Sequence, residues 1–274
     1  MSEDFLATMA ASSRARVQQA RSLAPERELR ARAANSPRAV KLSLTGKFDL
    51  IAEVKLRSPA AGQLTQSDED VGARVAGYAR AGAAAISVLT EPTRFDGSLT
   101  HLTQAVQALK AAIPVMRKDF LVDAYQVHEA RAAGAGGVLI ILRMLDRAQL
   151  QSLIDAAAEH QLFCLLEAFD EADLRSASEL VREFASQVKL LVGINCRDLV
   201  TLKVVPGRFE ALAPLMPANV PRVAESGVAS AADAAHLVRS GFDMALVGSA
   251  LMQASDPLQL AASMLSAGRA AACG

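Results

Sequence analysis

The sequence has few of the residues on which proteins stack nucleic-acid bases: it contains no tryptophan and only two tyrosines. Base stacking on such rings is a large part of single-strand recognition. Lysine plus arginine and aspartate plus glutamate both number 29, so no net charge attracts a nucleic acid or an anionic membrane. Neither partner is predicted, and any anion site has to be local.

Cysteine and long apolar runs are also scarce. The three cysteines, Cys164, Cys196 and Cys273, form no C-x-x-C pair, and their odd number fits a reducing cytoplasm better than a disulfide scaffold. No apolar run reaches the roughly 18 residues of a membrane-spanning helix. The predicted protein is cytoplasmic and has an ample core, because 51% of its residues are hydrophobic.

Cofactor and metal motifs are missing as well. The chain has no G-x-G-x-x-G and no P-loop lysine, so the sequence predicts no nucleotide cofactor. Its four histidines are scattered over predicted helices without ligand spacing, which predicts surface positions and no zinc site. They are His101, His128, His160 and His236.

The segment 12–34 is rich in arginine, as organelle-targeting peptides are. Glu26 and Glu28 interrupt it, and targeting peptides are poor in acidic residues. We therefore expect a solvated amphipathic helix in this part of the chain.

Eight short apolar runs, rich in leucine or β-branched residues, recur along the rest of the chain. Their starts lie roughly 22 to 35 residues apart, the length of a strand, a helix and two connections. The runs are LIAEVK from Leu50, AISVLT from Ala85, IPVMRKD from Ile113, GVLIIL from Gly137, LFCLLEA from Leu162, KLLVGIN from Lys189, PRVAES from Pro221 and DMALVGS from Asp243.

The segments between these runs are alanine-rich with helical spacing. Three of them place a glycine, Gly82, Gly134 or Gly241, where a helix has to end before a buried strand. Strands that are apolar on both faces are typical of parallel sheets. A doubly wound sheet is possible, but eight evenly spaced units favour a (β/α)₈ TIM barrel, an α/β fold. We expect a helical extension over residues 1–46 and the barrel over 47–274, as one structural domain.

Charged residues stand at late positions of these predicted strands. Glu53 and Lys55 are two residues apart and so share one face of a strand, where a bare charge pair would be costly against an apolar core. Either they plug the barrel as an internal salt bridge or they face a cavity at its mouth. Lys118 and Glu167 end two other strands and favour the cavity. We expect desolvation and the neighbouring cation to lower a lysine pKa toward that of a general acid.

Two glycine-serine motifs, AESGV and LVGSA, close the seventh and eighth predicted strands. Glycine permits close backbone approach, and the loops after these strands form a recurrent phosphate site in such barrels. Each motif alone could be a plain turn, but their joint position predicts phosphate binding.

Taken together, these stretches resemble the indole-3-glycerol phosphate synthase family over nearly the whole chain. The motifs that carry the resemblance are IAEVKLRSPAAG, LTEPTRFDGSL, RKDFLVDAYQVHEARAAGA, VLIIL, LLEAFD, GINCRDL, AESGV and ALVGSALM. The resemblance implies a barrel with an extra N-terminal helix over its mouth. It also implies conversion of 1-(2-carboxyphenylamino)-1-deoxy-D-ribulose 5-phosphate to indole-3-glycerol phosphate, with loss of carbon dioxide and water. It implies no cofactor, and we expect a monomer or weak homodimer.

The resemblance also implies roles for individual residues. Lys118 would protonate the sugar carbonyl, Glu167 and Lys55 would serve the later dehydration, and Glu53 and Asn195 would position substrate. The implied substrate contacts are Arg197, Ser58 and Lys55 on the carboxylate, Pro59, Phe95, Phe120 and Leu139 around the ring, and also Glu225 and Leu246. The implied phosphate contacts are Ser226, Gly227, Gly248 and Ser249, and no metal ligand is implied.

Departures from the family pattern are few. Cys196 replaces a common asparagine, but strand alternation turns it away from Asn195. Two alternative functions are a phosphoribosylanthranilate isomerase and a barrel that binds a partner without catalysis. The paired lysines with Arg197 favour the synthase.

Overall fold

The computed structural model of the chain describes residues 5–64 and 69–273. Within these ranges eight parallel strands close into a barrel, each hydrogen-bonded to the next, with β1 joined to β8. The strands are β1 (Asp49–Val54), β2 (Ala85–Leu89), β3 (Val115–Lys118), β4 (Gly137–Ile141), β5 (Phe163–Ala168), β6 (Leu190–Asn195), β7 (Arg222–Glu225) and β8 (Met244–Val247). Seven of the predicted runs contain one strand each, and β1 begins one residue before the first run, which confirms the TIM barrel.

Helices separate the strands and surround the barrel. They are α1 (Phe5–Leu23), α2 (Glu26–Asn35), α3 (Val71–Arg80), α4 (Pro92–Phe95), α5 (Leu99–Leu109), α6 (Ala124–Ala132), α7 (Arg147–Glu159), α8 (Glu171–Phe184), α9 (Arg208–Leu212), α10 (Ala231–Arg239), α11 (Ser249–Gln253) and α12 (Pro257–Ala271). The residues Arg57–Ser58 and Gly62–Gln63 form a short hairpin after β1. Across the described ranges, no helix combines the length and the apolar character that a membrane span needs.

Alternation along each strand divides the core into two parts. Side chains such as Leu50 and Val192 point outward and pack under the helices, while Ile51 and Leu191 point into the barrel. Interior packing is tight: a Cβ at Gly137 would lie 2.4 Å from the Phe163 ring. The apolar interior ends before the carboxyl ends of the strands, where the inward positions become polar.

Helix ends follow the local sequence rules. Asp70, Ser98, Asp146 and Ser230 each cap a helix by accepting a hydrogen bond from a backbone N–H of its first turn. The three predicted stop glycines, Gly82, Gly134 and Gly241, have φ of +97°, +93° and +88°. These left-handed values confirm why glycine stands between helix and buried strand.

The N-terminal extension forms two helices rather than one, because Pro25 interrupts the arginine-rich segment between α1 and α2. It is also less solvated than predicted. Met9 is buried with the apolar residues at the barrel mouth, and the Arg16 guanidinium contacts Asp119 at 2.7 Å. The expectation of a helix over the mouth is confirmed.

The predicted surface positions of the histidines are wrong for His128 and His160, which are 3% and 7% exposed. His128 lies on α6 and His160 caps the end of α7, and their ring nitrogens are 2.8 Å apart. Helical periodicity cannot reveal this contact, because it forms between neighbouring barrel helices. His236 is exposed as predicted, and His101 is partly buried.

Candidate active site

All of the predicted site residues line one cavity at the carboxyl ends of the strands. Polar side chains from β1, β3, β5, β6 and β7 form its floor. Loop residues and the first residue of α1 form its walls. This is the end of the barrel where parallel strands present reacting groups.

Lys118 is the centre of the polar floor. It ends β3, and its Nζ lies 3.1 Å from Oε2 of Glu167 on β5 and 3.1 Å from Oε2 of Glu225 on β7. Both carboxyl groups are almost completely buried, whereas the Lys118 side chain is 16% exposed toward the cavity. One ammonium therefore joins two carboxyl groups and still faces the space above them.

The expected lowering of a lysine pKa is wrong for Lys118. Burial alone would lower it, but Glu167, Glu225 and Glu53 together outweigh burial and hold the pKa of Lys118 above its ordinary value. The sequence argument expected burial and the neighbouring cation to dominate, whereas Glu167 and Glu225 at 3.1 Å and the charge of Glu53 outweigh them. Lys118 therefore remains charged throughout the physiological pH range.

Glu225 responds to the same cluster in the opposite sense. Burial raises the pKa of Glu225 to about 8; Lys118 opposes this rise and Glu167 adds to it. Space for the carboxyl group comes from Gly193 on β6, where a Cβ would lie 2.2 Å from Glu225 Oε1. Glu225 therefore holds its proton more firmly than an exposed glutamate does.

Glu53 and Lys55 form a second ion pair on the same floor, with Lys55 Nζ 2.8 Å from Glu53 Oε1. Burial would raise the pKa of Glu53, but Lys55, Lys118 and Arg197 lower it overall, so the carboxylate stays ionised. A Cβ at Gly248 would lie 2.2 Å from Glu53 Oε1, so only glycine leaves room for the pair. The pair lines the cavity and does not fill the barrel as a plug.

Asn195 holds Glu167 in place. Its Nδ2 donates to Glu167 Oε1 at 3.0 Å, and its Oδ1 accepts from the backbone N–H of Arg197 at 2.9 Å. The Arg197 guanidinium donates to the carbonyl of Leu202 at 2.6 Å. Cys196 points the other way, with Sγ 3.0 Å from the carbonyl of Val205, as alternation predicted.

Apolar side chains form the wall beside these charges. The rings of Phe95 and Phe120 lie 6.0 Å apart, and Phe5 of α1 packs edge-on against Phe120 at 5.8 Å. Pro59, Leu139 and Leu246 also line the cavity. Sequence reasoning missed Phe5, Leu199 and Leu202. Phe5 and Leu202 stand outside every quoted motif, and Leu199, although it ends GINCRDL, lies beyond the end of β6, so only the fold of α1 and of the loop after β6 places them in the cavity.

The predicted phosphate residues lie on the two loops that follow the neighbouring strands β7 and β8, and all of them line the cavity. Ser226 and Gly227, directly after β7, have φ of +67° and +78°, a conformation that is costly for serine. Gly248 and Ser249 stand where β8 passes into the short helix α11. Both loops line the cavity, so the two motifs lie together as expected; phosphate binding by them stays a prediction.

Asp119 connects the site to the N-terminal helix, and the sequence argument gave it no role. Its carboxylate accepts from Arg16 on α1, from Arg117 on β3 and from the hydroxyl of Thr90. Burial opposes ionisation, but these donors hold the pKa of Asp119 well below its usual range. Asp119 is thus a fixed anion directly after Lys118.

Comparison with known proteins gives this geometry a family. The family model described as indole-3-glycerol phosphate synthase matches residues 6–264. The enzyme of that name from Nocardioides sp. is 46% identical over 210 residues, 76% of each chain. The one from Mycolicibacterium smegmatis is 41% identical over 245 residues, 89% of this chain and 86% of that protein.

Solved structures of lower identity agree on the fold. A 3-hexulose-6-phosphate synthase from Salmonella typhimurium superposes with a TM-score of 0.62 at 16% identity, over 80% of this chain and 98% of that chain. A thiamine phosphate pyrophosphorylase from Pyrococcus furiosus has a TM-score of 0.60 at 16% identity, over 82% and 98%. Because the family model matches residues 6–264 and relatives are more than 40% identical, the chain belongs to the indole-3-glycerol phosphate synthase family.

Proposed function

We propose that the protein converts 1-(2-carboxyphenylamino)-1-deoxy-D-ribulose 5-phosphate to indole-3-glycerol phosphate at this cavity, as a carboxy-lyase of tryptophan biosynthesis. The family supplies the reaction. The observation that carries the assignment to this site is the pair of ammonium groups, Lys55 and Lys118, bound to three carboxyl groups in one cavity.

Ring closure is the first chemical step. The ring carbon that carries the carboxylate attacks the sugar carbonyl carbon, forming a C–C bond while the carbonyl π electrons move to oxygen. Lys118 stabilises the developing oxyanion and gives it a proton. A raised lysine pKa does not prevent this transfer, because an alkoxide is a stronger base than an amine. What the step needs is a lysine that is always charged, which the three carboxyl groups provide.

Decarboxylation and dehydration complete the indole. Loss of carbon dioxide returns the C–C bonding electrons to the ring and restores its aromaticity. Water then leaves as the new hydroxyl departs with a proton and a second proton is removed from the ring system. We assign proton donation to Lys55 and acceptance to Glu167, which Asn195 orients by the 3.0 Å hydrogen bond.

Binding separates the charged ends of the substrate across the cavity. In this assignment Lys55, Ser58 and Arg197 hold the carboxylate, and the aromatic ring lies among Pro59, Phe95, Phe120 and Leu139, with Glu225 and Leu246 below. Ser226, Gly227, Gly248 and Ser249 hold the phosphate. Phe5 of α1 covers the ring and limits water around the intermediates.

We also propose that the protein acts in the cytoplasm as a monomer or weak homodimer. Three free cysteines fit a reducing compartment. The exposed large apolar side chains in the described ranges are Leu23, Val200, Val204 and Leu215, and four such residues are few for a stable subunit interface. Sedimentation over a concentration series tests the state, and a tight oligomer would contradict it.

The activity test is direct. Purified protein is incubated with the carboxyphenylamino-deoxyribulose phosphate, and indole absorbance and carbon dioxide release are followed. We expect both signals in equal amounts. Phosphoribosylanthranilate, offered alone, tests the isomerase alternative. Folded protein that gives neither product signal would refute the assignment.

A further inference from the structure

A cluster of metal-ligating side chains lies outside the active site, between α6 and α7. One ligand atom from each of His128, Glu159 and His160 falls within 4.8 Å of the others. In the described parts of the chain, this is the one group of three or more histidine, cysteine or acidic residues so arranged. The proposed mechanism uses none of the three.

We propose that His128, His160 and Glu159 form a binding site for a divalent cation of the zinc class. Two imidazole nitrogens and a carboxylate are a donor set that Zn²⁺ takes in proteins, and imidazole also suits Ni²⁺ and Cu²⁺. The site would join the two neighbouring barrel helices at the surface that α2 covers.

The distance between the two ring nitrogens is close to the distance that a shared metal ion requires. His128 Nδ1 and His160 Nε2 are 2.8 Å apart. Two nitrogens on one tetrahedral zinc lie about 3.3 Å apart when each Zn–N bond is about 2.05 Å. The nitrogens therefore have to separate by about 0.5 Å, and each ring has to turn by roughly 35° to aim its lone pair at a shared cation, which then replaces the proton between them.

Burial and charge around the histidines favour neutral ligands. His128 and His160 are 3% and 7% exposed, and the 2.8 Å contact between their ring nitrogens needs one nitrogen to accept, so at least one of the two imidazoles is neutral. Metal ligation requires that neutral form. The charged groups that act on the pair are Glu159, Glu26, Asp123, Arg30 and Arg131.

Helix α2 supplies a support for the carboxylate. Arg30 donates to Glu159 Oε2 at 2.8 Å, which leaves Oε1 to face a cation, and ligating carboxylates are commonly fixed in this way. Glu26 Oε1 lies 3.9 Å from His128 Nε2 and adds negative charge on the same side. The cation would therefore connect α6 and α7 under α2.

The test is Zn²⁺ binding by calorimetry, together with the visible spectrum of bound Co²⁺. The protein is prepared without a polyhistidine tag. The change Cys273→Ser removes the exposed thiol that could compete for Zn²⁺. We expect one Zn²⁺ per chain and a tetrahedral Co²⁺ spectrum. Affinity should fall at least tenfold in His128→Gln or His160→Gln. The control His236→Gln removes an exposed histidine that also contacts a glutamate, at 2.7 Å from Glu210, and should change nothing.

Glu159→Gln keeps the test decisive if the buried histidine variants do not fold. This change is on the surface, so folding should persist while Zn²⁺ affinity falls several-fold and the Co²⁺ spectrum changes. No saturable binding by the parent protein would overturn the proposal. So would binding that survives Glu159→Gln and the folded histidine variants unchanged, since the cation would then occupy another place.

Discussion

Replacing Lys118 by methionine removes the ammonium at the centre of the site and keeps the length of the side chain. Its Nζ contacts Glu167 and Glu225 at 3.1 Å each. A general acid contributes about 10²–10⁴-fold, or roughly 3–5 kcal/mol of activation free energy. We expect kcat to fall by that factor, while substrate affinity changes little because phosphate and carboxylate contacts lie elsewhere.

The same change also leaves two buried carboxyl groups facing each other. Breaking a buried ion pair by removing one partner costs about 3–5 kcal/mol of stability. Protonation relieves part of this cost, because Lys118 no longer opposes the raised pKa of Glu225. We therefore add Glu225→Gln to Lys118→Met: the double variant should regain thermal stability without regaining turnover.

Lys118→Arg separates charge from proton donation. Arginine keeps the positive charge but gives up its proton much less readily. Steady-state rates from indole absorbance, substrate affinity from calorimetry and unfolding midpoints are measured for all four proteins. Equal loss of affinity and rate in Lys118→Met, or turnover restored in the double variant, would refute the assigned role and make Lys118 a structural ion.

Three further predictions concern neighbouring residues. The pKa of Glu225 in the folded protein, about 8, lies above its ordinary value of 4.5, so the contribution of Glu225 to stability falls as pH rises between these values. In that window the free energy of unfolding of Glu225→Gln should rise relative to that of the parent by up to about 1.4 kcal/mol per pH unit, as measured by denaturant titrations at several pH values. Gly248→Ala should lower kcat/KM about 100-fold by displacing Glu53, whereas Gly72→Ala, where the nearest atom lies 3.3 Å from the added Cβ, should not. Arg16→Gln should lower the free energy of unfolding by about 1.5–3 kcal/mol and lower kcat, because α1 loses its contact with Asp119. Arg14→Gln, at an exposed position of α1, is the control. If Arg16→Gln changes neither stability nor kcat, α1 docks without this contact.

The sequence predicts the barrel well because its signals are local. Apolar runs, stop glycines and strand alternation each depend on a few adjacent residues, and the positions of Glu53 and Lys55 on one strand face follow from period two alone. Residues that a strand end presents could therefore be assigned to one cavity. Phe5, Leu199 and Leu202 could not, because their positions depend on how a helix and a loop fold over the mouth.

Electrostatic details escape the sequence for a different reason. The sign of the Lys118 pKa shift depends on the distances to three carboxyl groups on three strands, and strand order alone gives no such distances. The contact between His128 and His160 is likewise a meeting of two helices. In both cases the sequence identifies the residues but does not show which other side chains lie next to them in the fold.

The proposed order in which the two lysines act follows from the anions that surround Lys55. Lys55 is paired with Glu53 at 2.8 Å, and in the proposed mode it also holds the substrate carboxylate. That carboxylate leaves as carbon dioxide, so the ammonium loses an anion in mid-reaction and becomes free to donate a proton to the departing hydroxyl. In the proposed mechanism Lys118 therefore acts before decarboxylation and Lys55 after it. In a single turnover, Lys55→Met should release carbon dioxide faster than it forms indole, whereas Lys118→Met should be slow in both steps. Equal rates of the two signals in Lys55→Met would show that Lys55 acts before carbon dioxide leaves.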